Sequence, residues 1–171
     1  ALKQISNGKV KFTNSNNAAV VTEYDVDYQM DDDQKIGVAV SWVNTTAAKP
    51  LTVDFPKAIK AAKKRGVTLK YTFMNVDTFA AFASQEEVIK KTATVIENLT
   101  GASDMADVES VNAYLTKKKA IYKGLQIVVL DQDITIELAD GTQVTGNPFE
   151  DNVVLYSESN VLGNTFWKKP I

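Results

Sequence analysis

Carboxylates are the residues here whose type and spacing come nearest to chemistry. Asp25, Asp27, Asp31, Asp32 and Asp33 crowd one short stretch. Such crowding suits a divalent cation or a carboxylate acid–base pair. A helix–loop–helix calcium loop needs Asp or Asn at its fifth position, Gly at its sixth and Glu at its twelfth. Counted from Asp25, those places hold Gln29, Met30 and Ile36; counted from Asp131, they hold Thr135, Ile136 and Thr142. Both counts fail, so the acidic stretch reads as a solvated loop, with a carboxylate-dependent metal-binding enzyme as the chemical alternative. The rest of the repertoire is narrow. The chain has no His and no Cys. This excludes disulfides, thiolate nucleophiles, zinc–thiolate sites, a Ser-His-Asp arrangement and the usual proton shuttle near neutral pH. Carboxylates, Lys, Tyr, Ser and Thr are what remain. Neither glycine-rich phosphate-binding pattern, G-x-G-x-x-G or G-x-x-x-x-G-K-[ST], occurs. The expectation is a chain that is not an enzyme, with no catalytic residue, no metal ligand and no cofactor.

Cations and aromatics offer a second chemistry. Lys57, Lys60, Lys63, Lys64 and Arg65 fall on one predicted helix, but Arg65 is the only arginine and the net charge is −2. Sequence-specific nucleic-acid readers lean on the planar fork of Arg. The cluster therefore reads as a solvated helix face, the alternative being a nucleic-acid-binding module that uses the Lys57–Arg65 helix. Trp42, Phe166 and Trp167 could stack bases, yet core or subunit-interface packing is the simpler use. The chain has 171 residues, 44% hydrophobic and 23% charged, which suits one globular domain, or one with a small appendage. No apolar run approaches the roughly 20 residues of a membrane span. Ala1-Leu2-Lys3-Gln4-Ile5 is not an apolar signal segment. With no initiator Met, the chain reads as processed or as a piece of something longer.

The elements that would position these residues fall into three parts. The first is β-rich. Lys9-Val10-Lys11-Phe12-Thr13 alternates, Asn14-Ser15-Asn16-Asn17 is turn chemistry, and residues 19–28 return as a strand; residues 36–42 read as a further strand. The middle part alternates helix and strand. Asp54 is expected to cap a helix with Pro56 in its first turn and Phe55, Ile59 and Ala62 at helical spacing, stopped at Gly66. Residues 68–74 read as a strand, and Asn75 or Asp77 starts a short helix bearing Phe79 and Phe82. Ser84-Gln85-Glu86-Glu87 reads as a capping box opening a helix with Val88, Val95 and Leu99 on one side and Gly101 at its end. Residues 107–119 form a third helix through Val108, Val111 and Leu115, closed by Lys117 to Lys119. The last part returns to strands: residues 125–130, an alternating run at 134–138, the Asp140-Gly141 hairpin turn answered by residues 142–145, and residues 153–156. Leu69, Tyr71, Phe73, Ile127 and Val129 should share one sheet beneath helices bearing Ile59, Phe82 and Val111.

From Trp42 onward this order resembles the lambda-like major capsid proteins of tailed phages. Those chains run a strand ending in Trp, then a Pro-Leu-x-x-Asp-like lead into a helix, as in Trp42 and Pro50-Leu51-Thr52-Val53-Asp54. A strand ending in Met and a short aromatic-bearing helix follow, as in Tyr71-Thr72-Phe73-Met74-Asn75-Val76-Asp77-Thr78-Phe79. Later they carry a strand, an Asp-Gly hairpin, a Pro-containing approach, a Val/Leu strand and a Leu-Gly turn with aromatics. Here these are Ile127 to Leu130, Asp140-Gly141, Pro148, Asp151-Asn152-Val153-Val154-Leu155-Tyr156 and Leu162-Gly163-Asn164-Thr165-Phe166-Trp167. Asn7-Gly8-Lys9-Val10 also has a counterpart there.

The resemblance implies an α+β chain of the Hong Kong 97-type capsid fold, with a central sheet flanked by helices and a peripheral subdomain of long strands. Residues 1–41 would be peripheral-domain strands, 42–150 the axial domain, and 151–171 the returning peripheral strand and C-terminal tail. Residues 9–13 and 20–28 would then form a sheet with residues 153–156. The N-terminal arm, extended loop and spine helix of the family have no match here. The implied role is structural: a major head protein of a phage or prophage, assembling in the bacterial cytoplasm into hexamers and pentamers of an icosahedral virion shell. Its partners would be itself and scaffold, portal or decoration proteins, with no specific nucleic acid and no membrane.

Overall fold

A computed structural model describes residues 9–12, 24–27, 30–93, 105–137 and 140–161, with backbone alone for the first two stretches and for positions 33 and 136. The chain is mixed α+β. Its centre is a three-stranded sheet in the order β4-β3-β7, where β3 is Tyr71–Asn75, β4 is Gln126–Leu130 and β7 is Leu155–Ser157. β3 and β4 are parallel, with Thr72 opposite Ile127 and Met74 opposite Val129. A parallel pair needs a long crossover. Among the described residues that crossover holds four helices: α2 (Val76–Ala83), α3 (Glu86–Ala93), α4 (Val108–Lys117) and α5 (Lys119–Tyr122). α1 (Phe55–Lys64) precedes β3.

Strand alternation divides the sheet into two faces. Met74 and Ile127 enter one buried cluster with Phe55, Phe82, Val111 and Leu115 from the helices, and Val129 and Tyr156 pack against it. Tyr71 and Phe73 take the opposite parity, with ring centroids 6.3 Å apart. The expected sheet is therefore present, with Ile127 and Val129 facing the helices, but Tyr71 and Phe73 take the other face and Leu69 is buried just ahead of β3 rather than in it. Burying side chains of the size of Phe55, Phe82 and Leu115 contributes about 1.5–3 kcal/mol each.

Two further sheets are hairpins. β1 (Lys9–Phe12) pairs antiparallel with β2 (Tyr24–Asp27), in register Lys9 to Asp27 and Phe12 to Tyr24. β5 (Ile134–Glu137) pairs antiparallel with β6 (Gln143–Gly146). The Asp140-Gly141 turn forms as the sequence indicates: Gly141 sits at φ +82°, and Thr142 N–H donates to the Asp140 carboxylate at 2.9 Å. Those bonds hold the Asp140 carboxyl below its usual range.

Some local signals decide the structure. Asn75 caps α2 by accepting from Thr78 N–H at 2.8 Å. Asp107 caps α4, accepting from Ser110 N–H at 2.6 Å and from its hydroxyl at 2.7 Å. α1 ends at Gly66, φ +78°. There Gly66 N–H donates to Lys63 O at 3.0 Å and Val67 N–H to Ala62 O at 3.1 Å, the paired bonds of a Schellman ending.

Other expectations are corrected. Residues 36–42 form bends and turns, not a strand. The run has no strand partner among the described residues, and Val38 and Val40 stay exposed. Asp54 does not cap α1. A π-helical turn, Pro50–Asp54, runs straight into the helix, and Asp54 itself is helical. Ser84 does not open a capping box; its hydroxyl donates back to Ala80 O at 2.8 Å, and α3 begins at Glu86. Residues 107–119 divide into α4 and α5 at Lys118. Most consequentially, residues 155–157 pair with β3 in the central sheet and not with the N-terminal hairpin. There Tyr156 lies over Phe55, centroids 5.9 Å apart at 88°, an edge-to-face contact that ties β7 to the core. Residues 13, 19–23 and 28, the helix positions Val95, Leu99 and Gly101, the 14–17 turn, Leu138 and the tail with Phe166 and Trp167 lie outside the described residues.

Candidate functional site

The acidic stretch, built up from its residues, is a surface turn. Asp32–Gln34 is a single 3-10 turn in which Asp31 N–H donates to the Gln34 side chain at 2.8 Å. Lys35 pairs with Asp32 at 3.5 Å. Among the described residues no group of three Asp or Glu side chains gathers as a metal ion would require.

The buried polar residues form a frame that sequence reading largely missed. Trp42 packs at 5.4 Å from Phe82, and its indole N–H donates to the buried Asp54 carboxylate at 2.8 Å. Gln85 donates its amide to Trp42 O, and to Ala81 O at 2.6 Å. Glu87, also buried, accepts from Leu51 N–H at 3.0 Å, from Thr52 N–H at 3.4 Å and from the Thr52 hydroxyl. A carboxylate from α3 thus satisfies the donors of the π-helical turn, which has no cap of its own. Tyr122 closes the frame by donating to Leu51 O at 3.0 Å. Burial pushes its phenol well above the ordinary value, helped by a hydrogen bond shared with Tyr114 and by the nearby Tyr114 and Glu87 groups. Burial likewise raises Tyr156, with Asp54 adding to it. Asn112 is a further residue that no motif signals. Its amide accepts from Ile127 N–H at 2.7 Å and donates to Ile127 O at 3.0 Å, closing the outer edge of β4 as a strand would.

These groups bond to backbone and to one another, so they position elements rather than present reacting atoms. The space they leave is a groove. A cleft of about 270 Å3 is lined by Gly37, Val38, Trp42, Asp54, Asn152 and Tyr156. It shares Ile36, Ala58, Val154 and Tyr156 with a second cleft of about 170 Å3 that reaches Met30, Ala62 and Arg65. Lys57 holds the rim through Gly37 O at 3.1 Å. The groove runs beside β7, whose outer edge has no strand partner among the described residues.

The predicted basic helix is α1. Lys57, Lys60, Lys63, Lys64 and Arg65 are exposed on it, while the aromatics nearest in the fold, Phe55 and Trp42, are buried. The helix therefore shows cations without a base-stacking surface among the described residues. Among the described residues the most exposed apolar side chains are Val43 at 80%, Val161 at 59%, Ile121 at 53% and Val144 at 51%. Such scatter is ordinary unless residues share a face. Val144 does share one, with the exposed Ile134, by the β5–β6 register. Comparison of the chain with models of known protein families, with curated proteins and with solved structures found no match.

Proposed function

We propose that the chain is the capsomer-forming, C-terminal part of a tailed-phage major capsid protein of the Hong Kong 97 type, acting by self-association. One observation supports the reading: the Trp42, Pro50–Asp54, Tyr71–Phe79 and Asp151–Tyr156 motifs of the resemblance meet in one structural hub. Trp42 bonds to Asp54, the last residue of the Pro50–Asp54 motif. Phe82 of the helix after the Met-ending strand stacks on Phe55 at 5.4 Å and 4°. Asn152 of the Asp151–Tyr156 run donates its N–H to Thr78 at 2.9 Å. Asn75, which ends the Met-bearing strand, bonds Asp151. Residues far apart in sequence thus serve one another's placement. Scaffold, portal and decoration proteins are the further partners of this role, and the virion its location.

The test is the full reading frame. Its product should carry a spine helix ahead of this chain and form hexamers, pentamers or shells visible by electron microscopy. A full-length parent that stays monomeric at every concentration and salt, or turnover of a phosphoester by this chain with added metal, overturns the proposal.

A further inference from the structure

Asp54 ends the π-helical turn as a buried residue, 8% exposed. One carboxylate oxygen, Oδ2, accepts from the Trp42 indole N–H at 2.8 Å. The other, Oδ1, caps no helix, has no hydrogen-bond partner among the described residues and keeps contact with solvent. No Lys or Arg among the described residues pairs with it. Lys57, one turn further on, donates instead to Gly37 O at 3.1 Å. A mostly buried carboxylate thus keeps one accepting position unfilled and no cation beside it, an arrangement that a cationic donor would relieve.

Geometry fixes where that position opens. Asp54 lines the cleft of about 270 Å3, whose other walls include Ile36, Val38, Ala58, Val154 and Tyr156. Burial raises the Tyr156 phenol and the Asp54 charge adds to it, so the carboxylate acts on a group that walls the same cleft. The chemistry of the occupant follows from what the cleft offers. A divalent metal ion needs several oxygens around it; the walls here are largely apolar, and no three acidic side chains gather among the described residues. A guanidinium grips a carboxylate best through two parallel bonds, and one oxygen is already taken by Trp42. A primary ammonium asks for less: one strong acceptor, with apolar surface along its carbon stem. Drug-sized sites run to ~300–1,000 Å3. The smaller volume here suits a stem of about four carbons, the length found in a lysine side chain.

We propose that this cleft binds a primary ammonium on a short apolar stem, with Asp54 Oδ1 as its acceptor and Ile36, Val38, Ala58 and Val154 around its carbons. A free alkylamine and a lysine side chain present the same group. The inference is independent of the self-association reading above.

The test uses butylammonium as the probe and 1-butanol as its uncharged counterpart. The Trp42 indole N–H shares the carboxylate with the ligand, so its NMR resonance reports occupancy. Trp167→Phe leaves Trp42 as the chain's only indole. Butylammonium should shift that resonance saturably and bind at least about tenfold more tightly than butanol, a preference of ~1.4 kcal/mol. Asp54→Asn still accepts from the indole but lacks the charge, and should erase the preference. Val38→Trp, at a wall residue 47% exposed, should block both ligands by filling the cleft without touching Asp54. Equal binding of the two probes by the wild-type chain overturns the proposal. So does a preference that survives either substitution in a chain that still unfolds cooperatively. Sedimentation of the wild-type chain then assigns the source. Loss of association in saturating butylammonium identifies the natural group as a lysine of a second copy, and unchanged sedimentation identifies a free amine.

Discussion

Trp42 and Asp54 show how much one hydrogen bond between distant residues can decide. The carboxylate is 8% exposed and accepts the indole N–H, and a buried charge left without a donor is costly. Trp42→Phe keeps the ring but removes the donor. It should destabilise the fold by about 1–3 kcal/mol in urea unfolding, whereas Asp54→Asn, which still accepts, should cost less. Equal losses from the two would show that the bond is not what matters. The tyrosines give a second test. Among the described residues, burial holds Tyr122 and Tyr156 neutral. A phenol whose pKa is raised on folding contributes stability that is complete below its unfolded value, about 10, and is lost as pH climbs toward the folded value. Absorbance titration near 295 nm, compared between wild type and the Tyr122→Phe and Tyr156→Phe variants, should show these two ionising only together with unfolding. Their ionisation near pH ~10 with the fold intact would contradict the burial. Trp42 was marked by the sequence as a packing aromatic. Gln85 and Glu87 were misread, because their local pattern matches a cap while their actual partners lie some 35 to 43 residues away.

Elements obeyed a local signal wherever no distant group competed for it. Asp107 is exposed, nothing competes for its carboxylate, and it caps α4 as the sequence indicates. Its pKa is lowered, chiefly by the Ser110 N–H. A carboxyl with a depressed folded pKa contributes stability above its unfolded value and loses it as pH falls through the folded one. Asp107→Ala should therefore cost about 1 kcal/mol at neutral pH, a modest figure in keeping with solvent screening. The difference from wild type should shrink as pH drops below ~4. A deficit unchanged at low pH would mean that the cap acts through its shape and not its charge. Asp54 and Ser84 carry equally good cap chemistry, yet Trp42 holds the first and the backbone of α2 the second. The 36–42 run has strand-like composition, but a strand exists only where a partner offers its backbone; these residues instead wall the groove.

At the scale of the whole molecule, stability is concentrated in one layer pair. β3, flanked on both sides by β4 and β7 and backed by α2 and α4, should exchange its amide hydrogens most slowly, and the β1–β2 and β5–β6 hairpins among the fastest. Exchange followed by mass spectrometry checks this. Equal protection of hairpin and central sheet in dilute solution would contradict the separation of the two. By itself the sequence determined which segments are helix and which hairpin, because periodicity, Gly66, Asn75, Asp107 and Asp140-Gly141 act through neighbours a few residues away. It also determined which chemistries the chain lacks, since no fold supplies a missing His or Cys. Only the tertiary structure decided where residues 155–157 pair, that Glu87 satisfies the turn before α1 and that Asn112 closes the edge of β4. Each of those outcomes is a competition among distant partners for the same apolar surface or hydrogen-bonding group, and its winner is settled by geometry that no stretch of sequence contains.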